Sequence, residues 1–169
     1  MSQETSLING HYYHIYNRGN NGENLFFEER NYDYFLKFYI RLLVRINPKL
    51  NLLGFQNLEG LNYSQYFSNL FNAYTKSINK NYHRTGSLFE KNFKRILIDD
   101  DSYLVQLVCY IHRNPQKHGF TKDFRTYVYS SYQTISQQKQ SRIESKQVLG
   151  WFGSLQSFEN YHLQFEEIR

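Results

Sequence analysis

The sequence predicts an α+β fold: one largely antiparallel sheet with helices packed on it. Two observations carry that reading. Short runs rich in β-formers, "HYYHIYNRG", "LLVRI" and "YVYSSY", are spread along the chain, and between them lie segments whose apolar residues recur at helical spacing. The two kinds of segment alternate unevenly, and no internal repeat or low-complexity tract interrupts them.

Taken in order, "HYYHIYNRG" alternates as a first strand and closes in a turn at "NRGNNGEN". "FFEERNYDYFLKFYI" places Tyr32, Phe35, Leu36 and Tyr39 at helical spacing, so an amphipathic helix follows. "LLVRI", ended by "NPK", reads as a strand, yet the helical pattern enters it through Ile40 and Arg41 with no Gly, Pro or Asn to turn the chain. Beyond the loop "NLLGFQNLEG", the longest periodic segment carries Tyr63, Phe67, Leu70, Phe71, Tyr74 and Ile78 on one face, with Lys76 and Lys80 opposite. "RTG" turns the chain into "SLFEKNFKRILI", an extended segment bearing Lys91, Lys94 and Arg95. Asp100 or Asp101 is placed to cap the next helix, "SYLVQLVCYIHRN", whose buried stripe is expected to be Leu104, Leu107, Val108 and Ile111. That helix is expected to end at or just before Asn114, because a residue preceding proline is pushed out of helical conformation. "KHGF" turns away, "YVYSSY" is a last β-like piece, and "SKQVLGWFGSLQSFENYHLQFEEI" offers one or two small helices. The expected organisation is a principal domain over 1–135 and a small helical tail over 136–169.

Composition narrows the function. No apolar run reaches the roughly 20 residues a membrane helix needs, and "MSQETSLING" lacks a basic start followed by an apolar stretch, so a soluble cytoplasmic protein is expected. Cys109 is the one cysteine, which excludes an internal disulfide and a zinc site of several thiolates; beside the apolar stripe its role is packing. Lys and Arg number 20 against 15 acidic residues, a net charge of +5 that favours a polyanionic partner. The 16 Tyr and 14 Phe suit either an aromatic core or stacking on unpaired bases.

One helical position raises a specific chemistry. Tyr110 lies off the centre of the expected stripe, and Asn114 follows at i+4 on the same face. A phenol ionises near pH 10, so attack on phosphorus would need a divalent metal, to which an Asn amide oxygen can be a hard ligand. An edge-buried tyrosine with a helix-ending Asn fits the same spacing.

In order over Tyr12 to Tyr132, "YHIYNRGN", "NLFNAYTKSINKNYHRTGSLFEKNFKR", "YLVQLVCYIHRNPQKHGF" and "YVYSSY" resemble the single-tyrosine transposases of the His-hydrophobic-His (HUH) superfamily, above all the REP-associated members. The resemblance implies a ferredoxin-like antiparallel sheet and cleavage of single-stranded DNA beside a hairpin, through a 5′-phosphotyrosine link with a free 3′ hydroxyl. It places Tyr110 as the nucleophile and Asn114 as a ligand of Mg²⁺ or Mn²⁺, and leaves a homodimer open. With it, Arg84, Lys91, Lys94 and Arg95 become candidate DNA contacts, as do Arg113 and Lys117 beside Asn114.

The chain departs from that family at its metal site. No His-x-His occurs; His11 and His14 are three apart on a predicted strand and so on opposite faces, and His83, His112, His118 and His162 stay unassigned. In the family the two histidines precede a strand like "LLVRI", so the sheet is expected to be incomplete by one or more strands near residues 40–42. With the histidines the protein would be a metal-dependent DNA-cleaving and joining enzyme; without them, a relic that binds hairpin DNA or RNA.

Overall fold

A computed structural model describes residues 7, 10–35, 63–141 and 143–166. The α+β class holds: among these residues a two-stranded antiparallel sheet is accompanied by six α-helices. They fall into two compact units, residues 1–97 and 98–169. The helical pattern beyond residue 35, "LLVRI", the loop after it and the junction near 40–42 lie outside the described residues.

In the first unit, β1 (Tyr12–Tyr16) pairs with β2 (Lys94–Ile98). Antiparallel contact continues past the strands, with Gly19 opposite Phe89. There the Glu90 amide donates to the Arg18 carbonyl at 2.9 Å and the Asn20 amide to the Leu88 carbonyl at 2.9 Å. The expected turn after β1 is a 3₁₀ turn over Asn20–Gly22. Helix α1 (29–35) lies within the predicted helical segment, and the buried Asn31 side chain accepts from the Phe27 and Glu28 amides at 2.9 and 3.2 Å, fixing the chain as it enters the helix.

Helix α2 (Tyr63–Asn81) follows the predicted pattern: Phe67, Leu70, Tyr74 and Ile78 are buried, and Lys76 and Lys80 are exposed. Tyr74 and Ile78 join Leu88 and Phe89 in a core flanked by Leu25, Phe26, Phe35, Phe71 and Tyr82. Burying a phenol requires a partner, and Tyr74 donates to the Leu25 carbonyl at 2.8 Å; burial also drives its ionisation far above the usual range. Much of the aromatic load of this unit is therefore core: Phe26 stacks on Tyr32 at 4.1 Å, and Phe35 meets Tyr74 edge-on at 5.1 Å.

The second unit is built around α3 (Asp101–Lys117). Asp100 is the cap, its Oδ1 accepting from the Ser102 and Tyr103 amides at 2.6 and 3.2 Å, and the Ser102 hydroxyl together with these amides holds its carboxyl below the usual range. Two expectations for this helix are corrected. It does not stop at Asn114 but runs through Pro115 to Lys117, because a proline in the last turn removes a single amide while the next bond, His118 N–H to the Asn114 carbonyl at 3.0 Å, is kept. Its buried residues are Leu104, Leu107, Cys109 and His112, whereas Ile111 is 47% exposed. The cause is packing on two sides: Leu104 and Leu107 cluster with Ile98, and Cys109 clusters with Phe124, Tyr132, Ile135, Phe152 and Phe158.

After a 3₁₀ turn over Phe124–Thr126, "YVYSSY" is not a strand. Its backbone is satisfied locally, by Tyr127 N–H to the Phe124 carbonyl at 3.3 Å and Ser130 N–H to the Tyr127 carbonyl at 3.1 Å. Helix α4 (Tyr132–Ser136) follows, and the C-terminal segment forms two helices as expected, α5 (Ser145–Phe152) and α6 (Leu155–Gln164). Gly153 separates them at φ 82°, a left-handed conformation that a side chain would strain, and the Ser154 hydroxyl then caps α6 by accepting from the Ser157 amide at 3.0 Å. Phe152 and Phe158 complete the core beneath Cys109 in this unit. Among the described residues no helix is long and apolar enough to cross a membrane.

Candidate nucleic-acid interface

Tyr110 is half-buried, its ring packed against the cluster of Ile98, Leu104 and Leu107 that Trp151 of α5 also joins. One turn on, Asn114 accepts through its backbone carbonyl from His118, while its side-chain Oδ1 is buried without a hydrogen-bond partner. Lys117 completes the series, its ammonium 5.8 Å from the centre of the Tyr110 ring. Spacing of i, i+4 and i+7 keeps all three on one side of α3, as the sequence predicted for Tyr110 and Asn114.

The other side of α3 holds an arrangement the sequence did not reveal. His112 and His162, fifty residues apart, join through His112 Nδ1 and His162 Nε2 at 2.8 Å. His112 Nε2 meets the Ser131 hydroxyl at 2.7 Å, and His162 Nδ1 meets the Phe158 carbonyl at 2.7 Å. A carbonyl only accepts, so His162 Nδ1 donates to it; His162 Nε2 then accepts from His112 Nδ1–H, and His112 Nε2 accepts from Ser131. Burial, reinforced by the neighbouring His162, lowers His112 to about 3, and burial lowers His162 to about 4. Both imidazoles are neutral at ordinary pH, so the chain of bonds fastens α6 to α3. Cys109 is buried in the adjoining cluster, its thiol pushed up to about 12 by burial, which fits the packing role and leaves it a poor nucleophile.

The candidate phosphate contacts divide by what they already hold. Arg113 donates to the His162 carbonyl at 2.6 Å and lies over the Phe124 ring at 5.2 Å, so its guanidinium helps fasten α6. In the first unit Arg84 pairs with Glu23 and donates to Asn79 Oδ1 at 3.1 Å. Arg95 donates to the Ser64 hydroxyl and lies 5.3 Å from the Phe93 ring centre. Phosphate binding by these three would have to compete with their internal partners. Lys91 and Lys94 are exposed, and among the described residues neither is engaged in an ion pair or a side-chain hydrogen bond. Phe89 is 5% exposed and packs inward, and Phe93 contacts Phe67 and Phe71.

Mg²⁺ or Mn²⁺ would find one suitable free oxygen here, Asn114 Oδ1. Among the described residues no three His, Cys, Asp or Glu side chains are grouped to hold a metal, so these residues alone do not form the centre that the resemblance implies. In the first unit His14 is partly buried in β1, with Nδ1 lacking a partner and its pKa lowered by that burial. The signal missed in the sequence was the pairing of His112 with His162, and neither residue carries a local motif.

No protein-family model, curated protein or solved structure matches the chain.

Proposed function

We propose that this chain binds hairpin-bearing single-stranded DNA, on a ferredoxin-like frame of the single-tyrosine transposase type, with Tyr110 in the place of the phosphate-attacking residue. One observation carries the reading. A single side of α3 presents a phenol, a buried amide oxygen without a partner and an ammonium group close to the phenol ring. Leaving a buried amide oxygen unsatisfied costs stability, and a ligand that engages it would explain why it is kept. A backbone phosphate beside Tyr110 would lie near the Lys117 ammonium, while the exposed Lys91 and Lys94 supply sequence-independent attraction in the other unit.

Binding requires only the described residues. Cleavage, with the phenol oxygen joining phosphorus as the 3′ oxygen leaves, belongs to the proposal only if residues outside the described set complete the site with Asn114 for Mg²⁺ or Mn²⁺. Electrophoretic mobility shift of a 5′-labelled hairpin with single-stranded flanks tests the reading. Salt-sensitive binding that survives Tyr110→Phe is expected, and a detergent-stable adduct that Tyr110→Phe abolishes would add cleavage. Absence of binding at about 50 mM salt overturns the proposal. An RNA hairpin of the same sequence that competes better would turn it toward RNA, where the 2′-hydroxyl is read.

A further inference from the structure

Where the chain leaves β1 and approaches β2, a shallow depression is lined by Tyr16, Asn17, Arg18, Glu90 and Lys94. Its shape is fixed by the backbone, since the Glu90 amide donates to the Arg18 carbonyl at 2.9 Å and Asn17 Oδ1 accepts from the Arg18 amide at 2.9 Å. Arg18, Glu90 and Lys94 are all exposed, and among the described residues none of the three has an ion pair or a side-chain hydrogen bond. Two cations and a carboxylate thus share one hollow without neutralising one another. This contrasts with Arg84, Arg95 and Arg113, whose side chains have internal partners.

The ligand such a hollow suits must accept from the cations and donate to the carboxylate. Inorganic phosphate meets the first demand and is repelled by Glu90. A nucleotide meets both, with phosphate oxygens for Arg18 and Lys94 and base N–H groups for Glu90. Among unpaired bases, guanine alone presents two adjacent N–H donors on its Watson–Crick edge, matching the two oxygens of a carboxylate. Cytosine and adenine offer one amine beside a ring acceptor, and thymine offers one N–H between two carbonyls. Tyr16, half-buried, supplies an aromatic wall for the base.

We propose that this depression binds one unpaired guanine nucleotide of single-stranded DNA, with Glu90 accepting from the base and Arg18 and Lys94 meeting its phosphates. The inference rests on the hairpin-DNA reading for its biological setting and is tested apart from it. Fluorescence anisotropy of the full chain compares two labelled octanucleotides, one all thymidine and one with a single central guanosine. The guanosine-bearing strand binds about tenfold more tightly. Glu90→Gln brings the two within about twofold, because an amide keeps the size of the carboxylate but loses one acceptor and the charge. Arg18→Ala combined with Lys94→Ala weakens both strands and flattens the slope of log affinity against log salt by about 1.4, two phosphate contacts at roughly 0.7 each. All three positions are exposed, so circular dichroism of the variants should match the parent.

Equal affinity for the two strands, or an unchanged preference in Glu90→Gln, overturns the proposal. Hairpin binding that persists without any guanine preference overturns it alone. A guanine preference sensitive to Glu90→Gln, with no hairpin binding, overturns the hairpin reading and leaves the depression assigned.

Discussion

His112 and His162 show how far a residue's role can lie from its sequence neighbourhood. Each was unremarkable as a single imidazole; joined in the core, with Ser131 and the Phe158 carbonyl at the ends, they have every ring nitrogen partnered. Protonating either places a cation beside the other imidazole in a buried site, with Arg113 lowering His162 further. In the unfolded chain both titrate near 6.5, while in the fold they are depressed to about 3 and about 4. Below 6.5 the unfolded state therefore binds more protons, so this contribution to stability is full above that pH and is lost as pH falls toward about 4. Thermal melting followed from about pH 7.5 to about pH 4.5 should show the midpoint falling steadily below 6.5. His162→Phe should lower the midpoint at neutral pH, costing about 2 kcal/mol by leaving His112 Nδ1–H unpaired, and should flatten the acid slope. A midpoint that stays level across this range would contradict a neutral buried pair. Nothing local in "IHRN" or "NYHLQ" announces the pairing, because imidazole contact depends on α6 returning to α3 fifty residues later.

At the scale of elements, α3 combines a strong start with an end that sequence reasoning places too early. Asp100 satisfies two of the amides that a helix start leaves open, so Asp100→Ala should lower the melting temperature by about 5 °C without weakening the affinity for hairpin DNA. A variant that lost DNA affinity and kept its melting point would give Asp100 a role at the interface instead. The cap was legible because carboxylates at helix starts obey local rules, and α2 was legible because Phe67, Leu70, Tyr74 and Ile78 face one core. The end of α3 was not, because the cost of Pro115 depends on how many bonds remain to be lost in the final turn. Its buried stripe was misplaced at Ile111 because α3 is covered on two sides, which hydrophobic spacing alone does not disclose. "YVYSSY" has the composition of a strand, but tight turns at Phe124 and Tyr127 take up its backbone groups. The candidate interface was legible in part: Tyr110 and Asn114 share a side of α3 by simple spacing, whereas the internal partners of Arg84, Arg95 and Arg113 come from elements distant in sequence or from the folded turn.

At the scale of the molecule, composition left open whether residues 136–169 are an appendage or part of a core. Phe152 and Phe158 lie in one cluster with Cys109, Phe124 and Tyr132, and Trp151 packs against the cluster that also touches Tyr110. The His162 imidazole and carbonyl hold His112 and Arg113 of the same helix. Removing these residues would uncover the apolar side of α3 and leave the His112 Nδ1–H and the Arg113 guanidinium without those partners. Each large aromatic lost from a core costs about 3–5 kcal/mol, and losing two approaches the whole stability of an ordinary domain. A chain ending at residue 135 should therefore lose cooperative melting of the second unit and expose the Cys109 thiol to reagents that the intact protein excludes. Thiol labelling and circular dichroism on the intact and shortened chains make the comparison. Slow labelling and full helix content in the shortened chain would mean that α3 holds its shape without α5 and α6, and that the tail can be detached. Fast labelling with reduced helix content would mean that the side of α3 bearing Tyr110, Asn114 and Lys117 depends on residues more than thirty positions downstream, so that loss of DNA binding on truncation would report a lost fold rather than a lost contact.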